Sequence, residues 1–196
     1  MMDYIAAGII FGVLAFTVAR VQININSMMY QNTFNITTQA NAVQLARQLE
    51  FDFLKMGYHV TDKYRRVYNA DTSSITFRGS LLNNNSVDSL IYTVGGTNVI
   101  TWTANPNDRR LHRNMNGATV YQLIGLTQLL FSYYDSNFVR INTPITNRDS
   151  LAKIRAINVK FRVESTDPVY TSYDTTWFSV SWEKLLFPRN LNQLNY

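Results

Sequence analysis

The sequence predicts an α+β protein: one long N-terminal α-helix, about residues 2–56, packed on a C-terminal antiparallel β-sheet head. Three observations predict it. Residues 4–19, YIAAGIIFGVLAFTVA, carry no charge. Residues 20–55 contain neither proline nor glycine, so no backbone breaker interrupts a helix begun upstream. Past Gly57 the pattern changes to short segments with apolar and polar residues in alternation, separated by Asn, Gly and Asp turns.

The uncharged run is flanked by Asp3 and Arg20. It falls a little short of the roughly 20 residues that cross a bilayer core as a helix. Val21, Ile23 and Ile25 extend its apolar character, and Arg20 can snorkel. A cleavable secretory signal is disfavoured because Met1-Met2-Asp3 supplies no basic residue, although Thr17-Val18-Ala19 passes as a cleavage site. A buried core helix and a helix that needs lipid or other helices are the remaining readings. The following segment favours the second. One continuous helix over residues 2–56 would be about 80 Å long, far beyond an ordinary globular helix. Its second half is one-sided: Val43, Ala46, Leu49, Phe53 and Met56 recur at three- and four-residue spacing and are expected to pack on the head. Gln44, Arg47, Gln48, Asp52 and Lys55 are expected to face elsewhere. Gly57 is the expected C-cap. The chain thus divides into an apolar helix half (1–25), an amphipathic helix half (26–57) and a β-rich head (58–196). Val21-Gln22-Ile23-Asn24-Ile25-Asn26 alternates with period two, and its residues are poor helix formers. It reads either as helix imposed by context or as a locally extended segment.

In the head, strands are expected at residues 74–78, 89–94 and 98–103, the last two joined through a hairpin at Gly95-Gly96-Thr97. Further strands are expected at 109–113, 128–134, 138–141, 154–163 and 176–186, with turns at 114–117 and 135–137 and loops at 83–86 and 142–150. Pro188 ends the last strand before a polar tail, 189–196.

The bulk properties suit one domain with an appendage: 196 residues, 46% hydrophobic and only 16% charged. The net charge of +5 comes from scattered basic residues, so no specific nucleic-acid footprint is expected. There is no cysteine, which excludes disulfides, thiolate metal sites and a cysteine nucleophile. His59 and His112 are far apart and read as surface or structural residues. No glycine-rich phosphate loop, His-x-x-x-His pair or Gly-x-Ser-x-Gly elbow occurs. Glu50 and Asp52, two apart on a helix, diverge. Asp135-Ser136-Asn137 offers one acid, so a turn is expected there rather than a calcium loop. Asn35-Ile36-Thr37 and Asn84-Asn85-Ser86 match glycosylation sequons, which arise readily by chance in so Asn-rich a chain. No catalytic residue, cofactor, metal site or small-molecule substrate is therefore expected.

The order of these parts resembles the type IV pilin family, including the minor pilins and the J-type minor pseudopilins of type II secretion. Residues 46–58, ARQLEFDFLKMGY, look like the end of the family's long helix. Residues 126–135, LTQLLFSYYD, resemble its strand ending in Phe-x-Tyr-x-Asp, residues 154–163 the strand after it, and Pro188-Arg189-Asn190-Leu191 its C-terminal Arg-Asn. The resemblance implies a structural filament subunit, not an enzyme. It would be single-pass in the cytoplasmic membrane before assembly, then part of an extracellular pilus or periplasmic pseudopilus, with other copies or related pilin subunits as partners. Tyr4, Ile5, Gly8, Ile9, Phe11, Gly12, Leu14 and Phe16 would form the membrane or filament-core helix, with Gly8, Gly12, Ala6, Ala7 and Ala15 permitting close helix approach. The family's precursors carry a short basic leader ending in Gly, and no such leader or cut site is visible ahead of Tyr4. The family usually has Glu at the fifth mature position, where this chain has Ile5. Asp3, the nearest acid, either pairs with a neighbouring subunit's N-terminal amine or flanks the membrane at its surface. A rival reading is a monomeric, membrane-anchored binding domain outside the cytoplasm.

Overall fold

The computed structural model describes residues 2–84, 86–97, 99–170 and 175–192. Asn85 of the expected loop, Asn98 of the expected strand and residues 193–196 of the polar tail lie outside the described residues. The architecture is α+β, a long N-terminal helix packed on antiparallel sheets.

Helix α1 (Met2–Leu54) is one unbroken element of 53 residues. Residues 21–26 are helical, so context overrides their weak propensity. Polar side chains further along satisfy themselves within the helix. The Thr33 and Thr38 hydroxyls donate to the carbonyls of Met29 and Phe34 at 2.9 and 2.7 Å, and the Gln39 amide donates to Asn35 Oδ1 at 3.0 Å. The helix stops at Leu54, two residues before the expected end, and Met56 sits in the turn beyond it, fully buried. Gly57 closes the end at φ +77°, a conformation that L side chains avoid. Its N–H donates to the Arg78 carbonyl at 2.7 Å, which locks the helix end to the head.

The head contains two principal sheets where one was expected. The first is a meander in chain order: β1 (Val67–Ala70), β2 (Ser74–Gly79), β3 (Asp88–Val94), β4 (Leu111–Met115) and β5 (Ala118–Gln122). The second has the order β11-β8-β6-β7, from β6 (Leu126–Tyr134), β7 (Arg140–Ile141), β8 (Ala156–Glu164) and β11 (Ser179–Leu186). Strands β9 (Val169–Tyr170) and β10 (Thr175–Thr176) form a small ribbon, so the single strand expected over 176–186 is split in two. A short helix, α2 (Arg148–Ala152), occupies part of the expected loop at 142–150, with the Asn147 side chain accepting from Asp149 N–H at its start.

The expected strand at 98–103 and its hairpin are wrong. Residues 99–103 are irregular, and β3 pairs instead with β2 and β4. The Gly95 N–H donates to the Arg110 carbonyl at 2.9 Å, so the chain leaves and re-enters that ladder around a long excursion. The β-branched run there looked like a strand, yet both edges of β3 were already taken. The turn expected at 114–117 tightens to Asn116-Gly117, with φ of +52° and +90°, the hairpin geometry that suits a right-handed twist.

One hydrophobic cluster joins the helix to both sheets. Phe53 is its hinge point. The ring lies 5.3 Å from Phe77 on β2, 6.0 Å from Tyr92 on β3 and 5.6 Å from Phe131 on β6, centroid to centroid. Each such buried aromatic contributes about 1.5–3 kcal/mol by removal from water. The helix therefore serves as a wall shared by the two sheets.

Candidate functional site

Every residue from 2 to 30 of α1 is exposed. At 1.5 Å per residue that is about 44 Å of bare helix. Its apolar part averages a mean hydropathy of 2.0 over 18 residues, none of it buried, and is long and apolar enough to cross a membrane. Tyr4, Ile5, Ile9, Phe11, Leu14 and Phe16 are 59–85% exposed. Nothing lies within 4 Å of where a Cβ would stand on Gly8 or Gly12. Asp3 lies in the first turn, where a carboxylate complements the helix dipole. The Arg20 guanidinium folds back over the Phe16 ring at 4.7 Å, so the first charge after the run screens an aromatic face.

Below this rod the helix turns one face to the head. Thr38, Ala42, Leu45, Ala46, Leu49, Asp52 and Phe53 are buried. Ala46, Leu49, Phe53 and Met56 occupy the packing positions expected of them. Val43 does not: it is half exposed, because it lies about 120° round the helix from Leu49, outside the buried stripe. Polar bonds flank the stripe. The Asn41 amide donates to the Ile124 carbonyl at 3.3 Å, the Gln122 amide to Gln48 Oε1 at 2.7 Å, and Lys184 pairs with Glu50 at 2.9 Å.

Asp52 corrects the sequence reading most sharply. Expected to face away from the head, it is 1% exposed and lies inside the interface. Arg113 on β4 grips it with two bonds, Nε to Oδ2 at 2.8 Å and Nη2 to Oδ1 at 3.1 Å. The Tyr92 hydroxyl donates to Oδ2 at 2.5 Å. A buried carboxylate is tolerable only when so paired, and the same pairing pushes the Arg113 guanidinium further up from its ordinary value. No local motif marks Arg113 or Tyr92. The one available signal was phase, since Asp52 stands three residues after Leu49 and seven after Leu45.

The remaining expected positions are placed simply. His59 is exposed against Tyr58, and His112 sits edge-on to Tyr121 at 4.9 Å. Asp135 Oδ1 accepts from the N–H groups of Asn137 and Val139 at 2.8 and 2.9 Å, which makes that segment the expected turn. Among the described residues, no three Asp, Glu or His side chains group as they would around a metal ion.

Neither a protein-family model nor a curated protein matches the chain.

Two buried tyrosines give the head a pH signature. Burial first, then the nearby Asp52 carboxylate, raises the Tyr92 hydroxyl well above its ordinary 10.0. Tyr133, which donates to the Asp71 carbonyl at 2.8 Å, is raised by burial and then by the Asp71 charge. Above about pH 10 the unfolded chain releases both protons while the folded chain keeps them. The folded state then binds more protons, so stability falls as pH rises, by up to about 1.4 kcal/mol per pH unit for each tyrosine. Melting temperatures of the full chain in detergent should be flat near neutral pH and fall above about pH 10. Tyr92→Phe should roughly halve that alkaline slope; an unchanged slope would mean that Tyr92 ionises in the folded chain.

Proposed function

We propose that the chain is a structural subunit of a type IV pilus-like or pseudopilus-like filament and has no catalytic role. Residues 4–19 hold it in the cytoplasmic membrane before assembly, and the bare helix packs among those of other copies or related subunits afterwards. The filament then stands outside the cell or in the periplasm, with the heads tiling its outside.

The observation that carries this reading is the stretch between anchor and head. Residues 20–30 are helical and exposed, although they lie beyond the uncharged run. They contain Ile23, Ile25, Met28, Met29 and Tyr30, all at least half exposed, interleaved with weak helix formers such as Asn24 and Asn26. A helix of such residues is not stable alone in water. Neighbouring helices would supply the missing contacts, whereas a monomer tethered in a bilayer would leave the stretch bare. Gly8 and Gly12, one turn apart with open space over both, allow two such rods to approach closely. A long N-terminal helix packed on an antiparallel β head is also consistent with the layout that the pilin resemblance implies.

Electron microscopy of the full chain and of a variant lacking residues 2–20 tests the proposal. The full chain should yield filaments, and the deletion a soluble, monomeric, β-rich head. Filaments from the deletion, or membrane-bound monomers alone from the full chain, would overturn it in favour of a tethered binding domain. Within the same experiment Asp3→Ala should lower filament yield if the carboxylate meets a neighbour's N-terminal amine.

A further inference from the structure

The excursion between β3 and β4 folds over the start of β6 and the end of β8 and leaves a cavity beneath it. Two ties build it. The Ala104 N–H donates to the Thr166 carbonyl at 3.1 Å, and the buried Asn105 amide donates to Glu164 Oε2 at 2.8 Å. Gly125, at φ +71°, lies against the Glu164 backbone so closely that a Cβ there would collide with the Glu164 carbonyl. The cavity encloses about 280 Å³, and its lining includes Ile100, Trp102, Thr103, Asp108, Leu123 and Asp167.

Asp108 makes this cavity unusual. It is only 3% exposed, and among the described residues neither its Oδ1 nor the buried Thr103 hydroxyl beside it makes a hydrogen bond of good geometry. Burial pushes the Asp108 carboxyl up most strongly; the Thr103 hydroxyl beside it pulls the other way, and the Glu164 charge adds to the rise. Glu164 is already matched, its Oε1 lying 2.8 Å from Arg162 Nε. Among the described residues Asp108 has no such cation. A buried carboxylate lacking a partner is costly, and a ligand that brings a positive charge and N–H donors removes that cost. Asp108 and Asp167 share the lining with Ile100, Leu123 and Trp102, which is 62% exposed and has the Arg110 guanidinium 5.9 Å from its ring centroid. That pairing of acid and aromatic side chain suits an ammonium group on an alkyl stem. It suits a calcium ion less, since calcium requires six or more oxygen ligands and no acidic triad is present among the described residues.

We propose that this cavity binds an organic ammonium group, with Asp108 as counter-charge, Thr103 as acceptor, and Trp102 covering the alkyl stem. The volume suits one side-chain-sized group rather than a drug-sized molecule. Such a group is carried equally by a small free amine and by a lysine of a partner chain. The proposal is independent of filament assembly.

Calorimetric titration of the full chain in non-ionic detergent tests it, with pentylammonium as the probe and 1-pentanol as its neutral counterpart. Saturable pentylammonium binding is expected, absent for pentanol. Asp108→Asn should weaken it at least about thirtyfold, and Trp102→Ala about three- to fivefold. Because the D108N variant no longer buries an unmatched charge, its melting temperature should hold or rise. N-acetyl-lysine methylamide separates the sources: binding like pentylammonium assigns the cavity to a partner's lysine, and exclusion assigns it to a free amine. Absence of saturable binding, equal binding of pentanol, or an unchanged affinity in D108N would overturn the proposal. So would Asp108-dependent calcium binding without amine binding. Should D108N fail to fold, Trp102→Ala alone decides, since its side chain is largely exposed.

Discussion

Alanine at Asp52 should destabilise the full chain by about 3–5 kcal/mol, a large share of the roughly 5–15 kcal/mol that holds a domain together. The substitution strands two groups at once. Arg113, with a side chain only 17% exposed, loses its counter-charge, and the buried Tyr92 hydroxyl loses its acceptor. Each would then have to be hydrated inside a packed interface or remain unsatisfied. Urea denaturation in detergent, followed by circular dichroism, measures the loss. Asp52→Asn keeps the shape and one acceptor oxygen and should cost about half as much. Replacing both charges together, Asp52→Leu with Arg113→Met, should restore much of the stability, because no unmatched charge remains. An unchanged midpoint in D52A would show that water enters between helix and head in solution, leaving the apolar stripe to hold them alone.

The second large effect concerns the other end of the helix. Ile10→Arg combined with Leu14→Arg should release the chain from membranes. The two positions are one turn apart on one face, and both are about 60% exposed. Each arginine near the centre of a bilayer costs about 2.5–3.5 kcal/mol on the insertion scale, so the pair costs about 5–7 kcal/mol. Sedimentation of membranes should find the wild-type chain in the pellet and the double variant in the supernatant. Neither side chain touches the head, so the urea midpoint of the β-rich part should not move. Equal recovery in the pellet would mean that residues 4–19 do not anchor the chain.

Much of this fold was legible from residue patterns. The uncharged run, the long interval without a breaker and Gly57 located the helix to within two residues of its end. Period-two alternation found β2, β3, β6 and β8, whose buried faces are written into their own side chains, and β11, where half-buried Val180 and Trp182 alternate with polar residues. What stayed hidden depended on distant partners. The segment at 99–103 has strand-forming residues, but both edges of its expected partner β3 are taken. Strand β5 is short and mostly exposed, so its alternation carries no burial signal. Val43 and Asp52 were exchanged because a stripe read from apolar residues alone leans toward Val43. The true stripe is turned toward a carboxylate whose partners lie 40 and 61 residues further on. The cavity at Asp108 was invisible for the same reason: its acid and aromatic residues come together through a loop that sequence reads as a strand.

Because α1 runs without a break from its exposed start to Phe53, its free and gripped portions are one continuous hydrogen-bonded element. A pull on the free end would travel straight into the stripe from Thr38 to Phe53 and load all of those contacts together, in shear. A kinked helix would instead be peeled away one turn at a time. Mechanical strength against tension therefore follows from the continuity of the rod, with the Arg113 clamp near its end sharing the load.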